Sequence, residues 1–414
     1  MTQQSAVLPS QSRSTLAMIR RVAVGISGGV DSAVSALLLK KRGYEVIGVY
    51  MKNWESSDED DSICDGTRDA QTAQSVCERL KIPFKSVNFV KEYWNDVFLN
   101  MLEDYQSGLT PNPDVLCNSK VKFDKFQKYC LDNLGVDAVA TGHYARNSLG
   151  ENLELVHRGK RAKLLKPIDR YKDQTIFLSQ ISQNSLKKSI FPVGSITKEV
   201  VKKIAFASGF EDLSKKKESM GICFIGKRRD GFQNFIRQYV SDQSGEIIDI
   251  ESKKVIGTHN GIHQWTLGQR VRIGGLKDKV YICGKNVSRN ELISCYGRDH
   301  PSLFSDSFTT KEAHWIDCPP KNLCLNPMTL EYRSQNTHPL TPASIRVSNR
   351  EKKCKLTVIS AIRQRTITPG QYAAFYLGDE CLGSAIIDKV GPSLYDIKCQ
   401  EESCRRPFEL HKKY

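Results

Sequence analysis

The stretch Ser27-Gly28-Gly29-Val30-Asp31-Ser32, set directly behind the apolar run Val22-Ala23-Val24-Gly25-Ile26, constrains the fold of this chain more than any other segment. The run is short and rich in β-branched residues, as a buried strand is. Behind the glycines, Ala33, Val34, Ala36, Leu37 and Leu38 supply a helical apolar face, and Gly43 stops it. A strand that turns through glycines into a helix makes an anion cradle. The glycines admit close approach, and the free N–H groups of the first helical turn point at the anion. The lysine of a G-x-x-x-x-G-K-[ST] loop is missing, so this is a different kind of phosphate loop.

Further apolar segments at 45–50, 84–90 and 137–141 read as strands, with helical stretches at 68–80 and 118–133 between them. This alternation predicts an α/β domain over 21–225, a Rossmann-like parallel sheet covered by helices on both faces. Ligands of such sheets gather at the carboxyl ends of the strands. The loop from Gly25 to Ser32, Met51 and Gly142-His143 all follow strand ends, so one nucleotide site can use all three. From about 196 to 240 the chain reads as helical and basic, with Lys198, Lys202, Lys203, Lys215, Lys216, Lys217, Lys227, Arg228 and Arg229. Such a run is often only a solvated face; beside Cys223 it suits a phosphate backbone. Residues 226–302 read as a small β-containing central domain. Strand patterns at 328–333, 344–348, 353–359, 371–377 and 381–388 predict a closed β-barrel over 303–414.

Lys and Arg outnumber Asp and Glu by 61 to 46, which favours a polyanionic partner. No apolar run approaches the roughly 18 residues that span a bilayer, so no membrane partner is expected. The 13 cysteines are an odd number without a C-x-x-C, which argues against a zinc ribbon, an iron–sulfur site and a thioredoxin-like pair. Residues 1–20 carry arginine and serine, and the first acidic residue is Asp31. That is the composition of an organellar transit peptide, although a disordered cytosolic tail has the same look.

Two cysteines stand out by context. Cys117 follows Thr110-Pro111-Asn112-Pro113-Asp114, where two prolines stiffen a loop just before a helix. A thiol near a helix N-terminus is favoured as thiolate, and Asp114 is placed to exchange protons or orient a substrate. Cys223 lies in Gly221-Ile222-Cys223-Phe224-Ile225-Gly226 with lysines near, which also favours thiolate.

The glycine loop resembles the pyrophosphate loop of N-type ATP pyrophosphatases. In company with it, Tyr50-Met51-Lys52-Asn53-Trp54, the N-P-D-x-x-C segment at 112–117, Ala140-Thr141-Gly142-His143-Tyr144-Ala145, Lys172-Asp173-Gln174, the segment around Cys223, Thr266-x-Gly268-Gln269-Arg270 and Thr368-Pro369-Gly370-Gln371 occur in the order found in tRNA-specific 2-thiouridylases. The chain is similar to that family from about residue 21 to about 390, and Glu218-Ser219-Met220 looks like its mitochondrial branch.

The resemblance implies that ATP, with Mg²⁺, adenylates C2 of the wobble uridine in tRNA for Lys, Glu and Gln. Gly25, Ile26, Ser27, Gly28, Gly29, Val30, Asp31, Ser32, Met51 and Gly142 would hold the nucleotide. Cys223 would carry sulfur as a persulfide received from a donor protein. Cys117 would either attack that persulfide or resolve it through a transient Cys117–Cys223 disulfide. Asn112, Pro113 and Asp114 would meet the target base, flipped out of the anticodon loop. His143, Lys172, Asp173, Gln174 and Gln371 would lie against the tRNA, Gln371 on the anticodon arm. No zinc or iron–sulfur centre is implied. Glu331 inverts a charge the family commonly has, which weakens the case for a tRNA contact at Tyr332 and Arg333. ATP-dependent amidating enzymes share the glycine loop, and a non-catalytic tRNA-binding protein shares the basic surface. Neither needs the two cysteines.

Overall fold

The computed structural model describes residues 19–55, 65–156, 159–216, 235–348 and 354–405. The chain opens with β1 (Arg21–Gly25), α1 (Val30–Lys41), β2 (Glu45–Lys52), α2 (Asp65–Leu80), β3 (Phe84–Asn88) and β4 (Ala138–Ala140). A hairpin of β5 (Arg146–Asn147) and β6 (Leu164–Leu165) follows, and then β7 (Ser189–Ile190). Strands β3-β2-β1-β4-β7 form a parallel sheet in that order. Its centre is β1, and successive β1 side chains go to opposite faces. Val22 and Val24 join one buried cluster with α1 and α2, while Ala23 joins another with Val49, Val97 and Phe126.

Boundaries moved where a side chain intervened. The strand expected at 84–90 ends at Asn88, whose Oδ1 accepts the Val90 N–H at 2.9 Å and starts a helical turn. Helical turns then run from Val90 to Gln106 (α3) and from Pro113 to Asn133 (α4), each with a π-helical stretch inside. The basic region holds α5 (Lys198–Ala207) and a turn at Glu211–Lys215, separated by Gly209 at φ +79. Residues 217–234, with Cys223, lie outside the described residues.

The central residues form a second sheet from β8 (Gly245–Asp249), β9 (Val255–His259), β10 (Arg270–Val271), β11 (Val280–Asn286) and β12 (Glu291–Tyr296), ordered β10-β11-β12-β8-β9. The third sheet contains β13 (Phe304–Glu312), β14 (His314–Trp315), β15 (Met328–Arg333), β16 (Thr341–Val347), β17 (Lys355–Arg365), β18 (Tyr372–Leu377) and β19 (Glu380–Val390). The ring β13-β17-β16-β15-β18-β19 closes through β13–β19 pairing, which removes the exposed sheet edge. Inward residues such as Leu330, Ile345, Val358 and Phe375 fill it.

The barrel is joined to the first sheet's domain by backbone and by charge. Strand β6 pairs with β19, Leu164 against Cys381. Arg333 Nη2 lies 2.9 Å from Asp173 Oδ2, with both residues buried. Among the described residues, no helix is long and apolar enough to cross a membrane.

Candidate active site

The anion cradle is built from backbone. Gly29 precedes α1 in extended conformation, and no side chain caps the helix start, so its first N–H groups face outward. Gly28 has φ +73, and a Cβ there would stand 2.9 Å from the Asp69 carbonyl oxygen. Ser32 Oγ donates to the Gly29 carbonyl at 2.9 Å and accepts the Ser27 N–H at 3.2 Å, which fixes the loop's curvature. Gly142, at the end of β4, presses on the same helix start: a Cβ would lie 2.8 Å from Ser32 N and 2.9 Å from the Asp31 carbonyl carbon. The structure therefore brings Gly25–Ser32 and Gly142 together, with Met51 near the end of the adjacent β2.

Two lysines that the sequence placed only in a basic run converge here. Lys198 Nζ, almost wholly buried, donates to Asp31 Oδ1 and Oδ2 at 2.7 and 2.8 Å. The Tyr144 hydroxyl donates to Asp31 Oδ1 at 2.9 Å. Lys216 Nζ bonds Asp69 Oδ1 at 2.7 Å and reaches the Gly28 carbonyl at 3.4 Å. A signal for Lys198 existed. It is the first residue of α5 after the Thr197 cap, where a cation opposes the helix dipole.

The thiol half is organised by α4. Asn112 is extended, Pro113 opens the helix, and buried Cys117 begins the π-helical stretch Cys117–Phe126. Such stretches recur at functional sites. Burial pushes the Asp114 carboxyl up from its ordinary value, and Lys122 opposes that shift. The same helix carries Phe123 to 5.7 Å from the His143 ring, between ring centres, and sets Phe126 against Gly25. His143 contacts Thr141 Oγ1 through Nδ1 at 2.9 Å. Burial first, and Lys122 second, hold its pKa well below 6.5, so the ring is neutral at physiological pH. Cys223 is outside the described residues, and with it the Cys117–Cys223 pairing.

The expected RNA contacts divide. Asn112, Asp114, His143 and Lys172 are half-buried, Pro113 buried. Asp173 faces inward: Oδ1 accepts from the Thr175 N–H and hydroxyl, and Oδ2 pairs with Arg333. Gln174 exchanges bonds with the Tyr144 backbone, Oε1 accepting its N–H at 2.8 Å. Gln371 Nε2 donates to the Thr110 and Pro111 carbonyls at 2.8 and 3.2 Å. Tyr332 is buried like Arg333, in keeping with the inverted charge at Glu331. By contrast Tyr171, unnoticed in the sequence, is 99% exposed between Arg170 and Lys172 on a short turn. Among the described residues, no group of three His, Cys, Asp or Glu side chains is arranged to hold a metal.

Residues 20–227 match the family described as tRNA methyl transferase HUP domain, 233–295 its PRC-barrel domain, and 305–387 the aminomethyltransferase beta-barrel domain. The chain is 45% identical over 410 residues to mitochondrial tRNA-specific 2-thiouridylase 1 of Gallus gallus, covering 92% of this chain and 95% of that one. The proteins of the same name from Homo sapiens and Drosophila melanogaster are also 45% identical. They cover 92% and 91% of this chain, and 93% and 95% of theirs.

Proposed function

This chain belongs to the family of mitochondrial tRNA-specific 2-thiouridylases, and from that premise we propose that it uses ATP to replace the C2 oxygen of the wobble uridine with sulfur in mitochondrial tRNA for Lys, Glu and Gln. The observation that carries the reading is the junction of the two halves. Helix α4, which begins at Asp114 and Cys117, also packs Phe123 and Phe126 on His143 and Gly25, beside the uncapped start of α1.

The uridine O2 attacks the α-phosphorus of ATP, and pyrophosphate leaves into the cradle of Gly28, Gly29 and the α1 N–H groups. Lys198 and Lys216, paired with Asp31 and Asp69, stand at its edge and can turn to the leaving phosphate. Mg²⁺, bound to the phosphates of ATP, would screen their charge. A persulfide on Cys223, loaded by a sulfur-donor protein, supplies the nucleophile. Its terminal sulfur attacks C2 and AMP departs. The Cys117 thiolate then attacks the Cys223 sulfur, releasing the 2-thiouridine and leaving a Cys117–Cys223 disulfide for a thiol reductant to open. In the alternative order, Cys117 attacks first and liberates sulfide, with the same disulfide left behind. Asp114, with its raised pKa, holds a proton for the base at higher pH than an ordinary carboxyl does. Tyr171, offered to solvent between two cations, supports a stacking role against an unpaired base of the anticodon loop.

The experiment is mass spectrometry of wobble nucleosides from mitochondrial tRNA in cells lacking the protein. Loss of 2-thiouridine, restored by wild type and not by Cys223→Ser, is the expected result. Unchanged 2-thiouridine would return the chain to the ATP-dependent ligases.

A further inference from the structure

The loop Gly108–Asn112, which leads into Asp114 and Cys117, is gripped from two sides by residues far away in sequence. From the barrel, the Pro369 carbonyl accepts the Thr110 N–H at 3.1 Å, and Gln371 Nε2 donates to the next two carbonyls, of Thr110 and Pro111. Gly370 lies flat on the loop at φ +92, where a Cβ would stand 2.9 Å from Thr110 N and 3.0 Å from Leu109 Cβ. This turn is itself tied to β19, since Gly370 N–H donates to the Ile387 carbonyl and Ile387 N–H to that of Gln371, both at 2.9 Å. From the central sheet, Lys285 on β11 donates through Nζ to the Gly108 carbonyl at 2.9 Å. Gly108 sits at φ +73, and a Cβ there would strike Val287.

These contacts leave the loop's carbonyls at Gly108, Thr110 and Pro111 bonded to donors that belong to other sheets. We propose that Lys285 and Gln371 are positioning residues, a two-sided latch that sets the register of the loop and thereby of Asp114 and Cys117, so that the thiol half of the site is in working order only while the central sheet and the barrel are both docked on it. Gln371 then acts through protein backbone rather than through RNA. Burial pushes Lys285 down to about 8, which leaves its ammonium largely protonated at neutral pH and its bond to the Gly108 carbonyl charge-assisted. Two sheets thus control a loop that neither of them contains. The role assigned to the loop rests on the sulfur-transfer reading above; the latch itself does not.

The test uses the full-length protein with Gln371→Glu, which keeps the side chain's shape but removes its donor, and with Lys285→Met and Lys285→Arg. Iodoacetamide labelling of Cys117, followed by peptide mass spectrometry, reads the loop directly. Loss of the one hydrogen bond from Lys285 is expected to raise the labelling rate about tenfold, corresponding to roughly 1.4 kcal/mol, and loss of the two from Gln371 at least as much. Thiolation kcat at saturating tRNA should fall by a similar factor while the tRNA Kd stays within about twofold, and Lys285→Arg should restore both. Unchanged labelling in Gln371→Glu and Lys285→Met overturns the latch. A weakened tRNA Kd with unchanged labelling overturns it too, and makes Gln371 an RNA contact. If wild type fails to thiolate tRNA while labelling still rises in the variants, the latch stands and the sulfur-transfer reading falls.

Discussion

The two halves of the site are stabilised in different ways. The nucleotide half is held from within its own domain, by bonds inside the loop and by Lys198 and Lys216 of the same domain. Ser27, Gly29 and Ser32 bond one another within five residues, and Gly142 arrives from the neighbouring β4. The loop of the thiol half is held from outside, by a lysine 177 residues away and a glutamine 261 residues away. A phosphate cradle must be in place before its ligand arrives, and backbone geometry is the stiffest way to achieve that. On the proposed reaction the thiol acts after the nucleotide step, and its loop is bonded to the central sheet and to the barrel. The difference points to a reaction whose first step is preorganised and whose second depends on assembly of the whole chain.

The largest effect expected from testing this contrast lies at the buried ion pair between Asp173 and Arg333. Removing one partner leaves a charge without compensation, which costs about 3–5 kcal/mol. Arg333→Met should therefore lower the unfolding midpoint by several degrees or more, measured by calorimetry. If the nucleotide half is self-contained, ATP affinity of the protein that remains folded should be unchanged; a parallel loss of ATP binding would break the comparison.

Next comes Gly142→Ala. Its Cβ would meet Ser32 N and the Asp31 backbone, not a yielding side-chain tip. Overpacking of this kind costs typically 1–3 kcal/mol, so ATP affinity by calorimetric titration should fall about tenfold or more. Cys117 labelling should not move. If it did, the two halves would share one mechanical unit.

The smallest effect is set by pH. The neutral His143 has a folded pKa well below its unfolded value of 6.5. The unfolded chain therefore binds the extra proton, and the stability due to this group is present above pH 6.5 and lost as pH falls below it. Thermal midpoints between pH 7.5 and 5.5 should decline less steeply in His143→Gln than in wild type. Equal slopes would show that the ring beside Phe123 titrates freely.

The parallel sheet and most of the barrel were legible because their strands carry a pattern, although β13, whose pairing with β19 closes the barrel, was not among the segments read as strands. Val22–Val24 and Val46–Val49 are apolar runs, and Thr341, Ala343 and Ile345 alternate buried with exposed neighbours. Strand β7, only Ser189–Ile190, is too short to leave a pattern. The glycine loop could be read because its function demands particular backbone angles, and only certain residues adopt them. Asp173, Gln174 and Gln371 could not be assigned to partners in that way. A polar side chain shows what it can bond, not whether protein or RNA will stand opposite it.

By itself the sequence determined the glycine turn at the start of α1 and the order of α/β sheet, central sheet and barrel, because local periodicity and residue type suffice for these. Only the tertiary structure decided that Lys198 faces Asp31, that Asp173 is neutralised by Arg333, and that Lys285 and Gln371 hold the loop before Cys117. Those pairings join residues 167, 160, 177 and 261 positions apart in the chain. Burial and hydrogen-bond satisfaction act through space, and no spacing along the chain encodes which distant group will fill a given donor or acceptor.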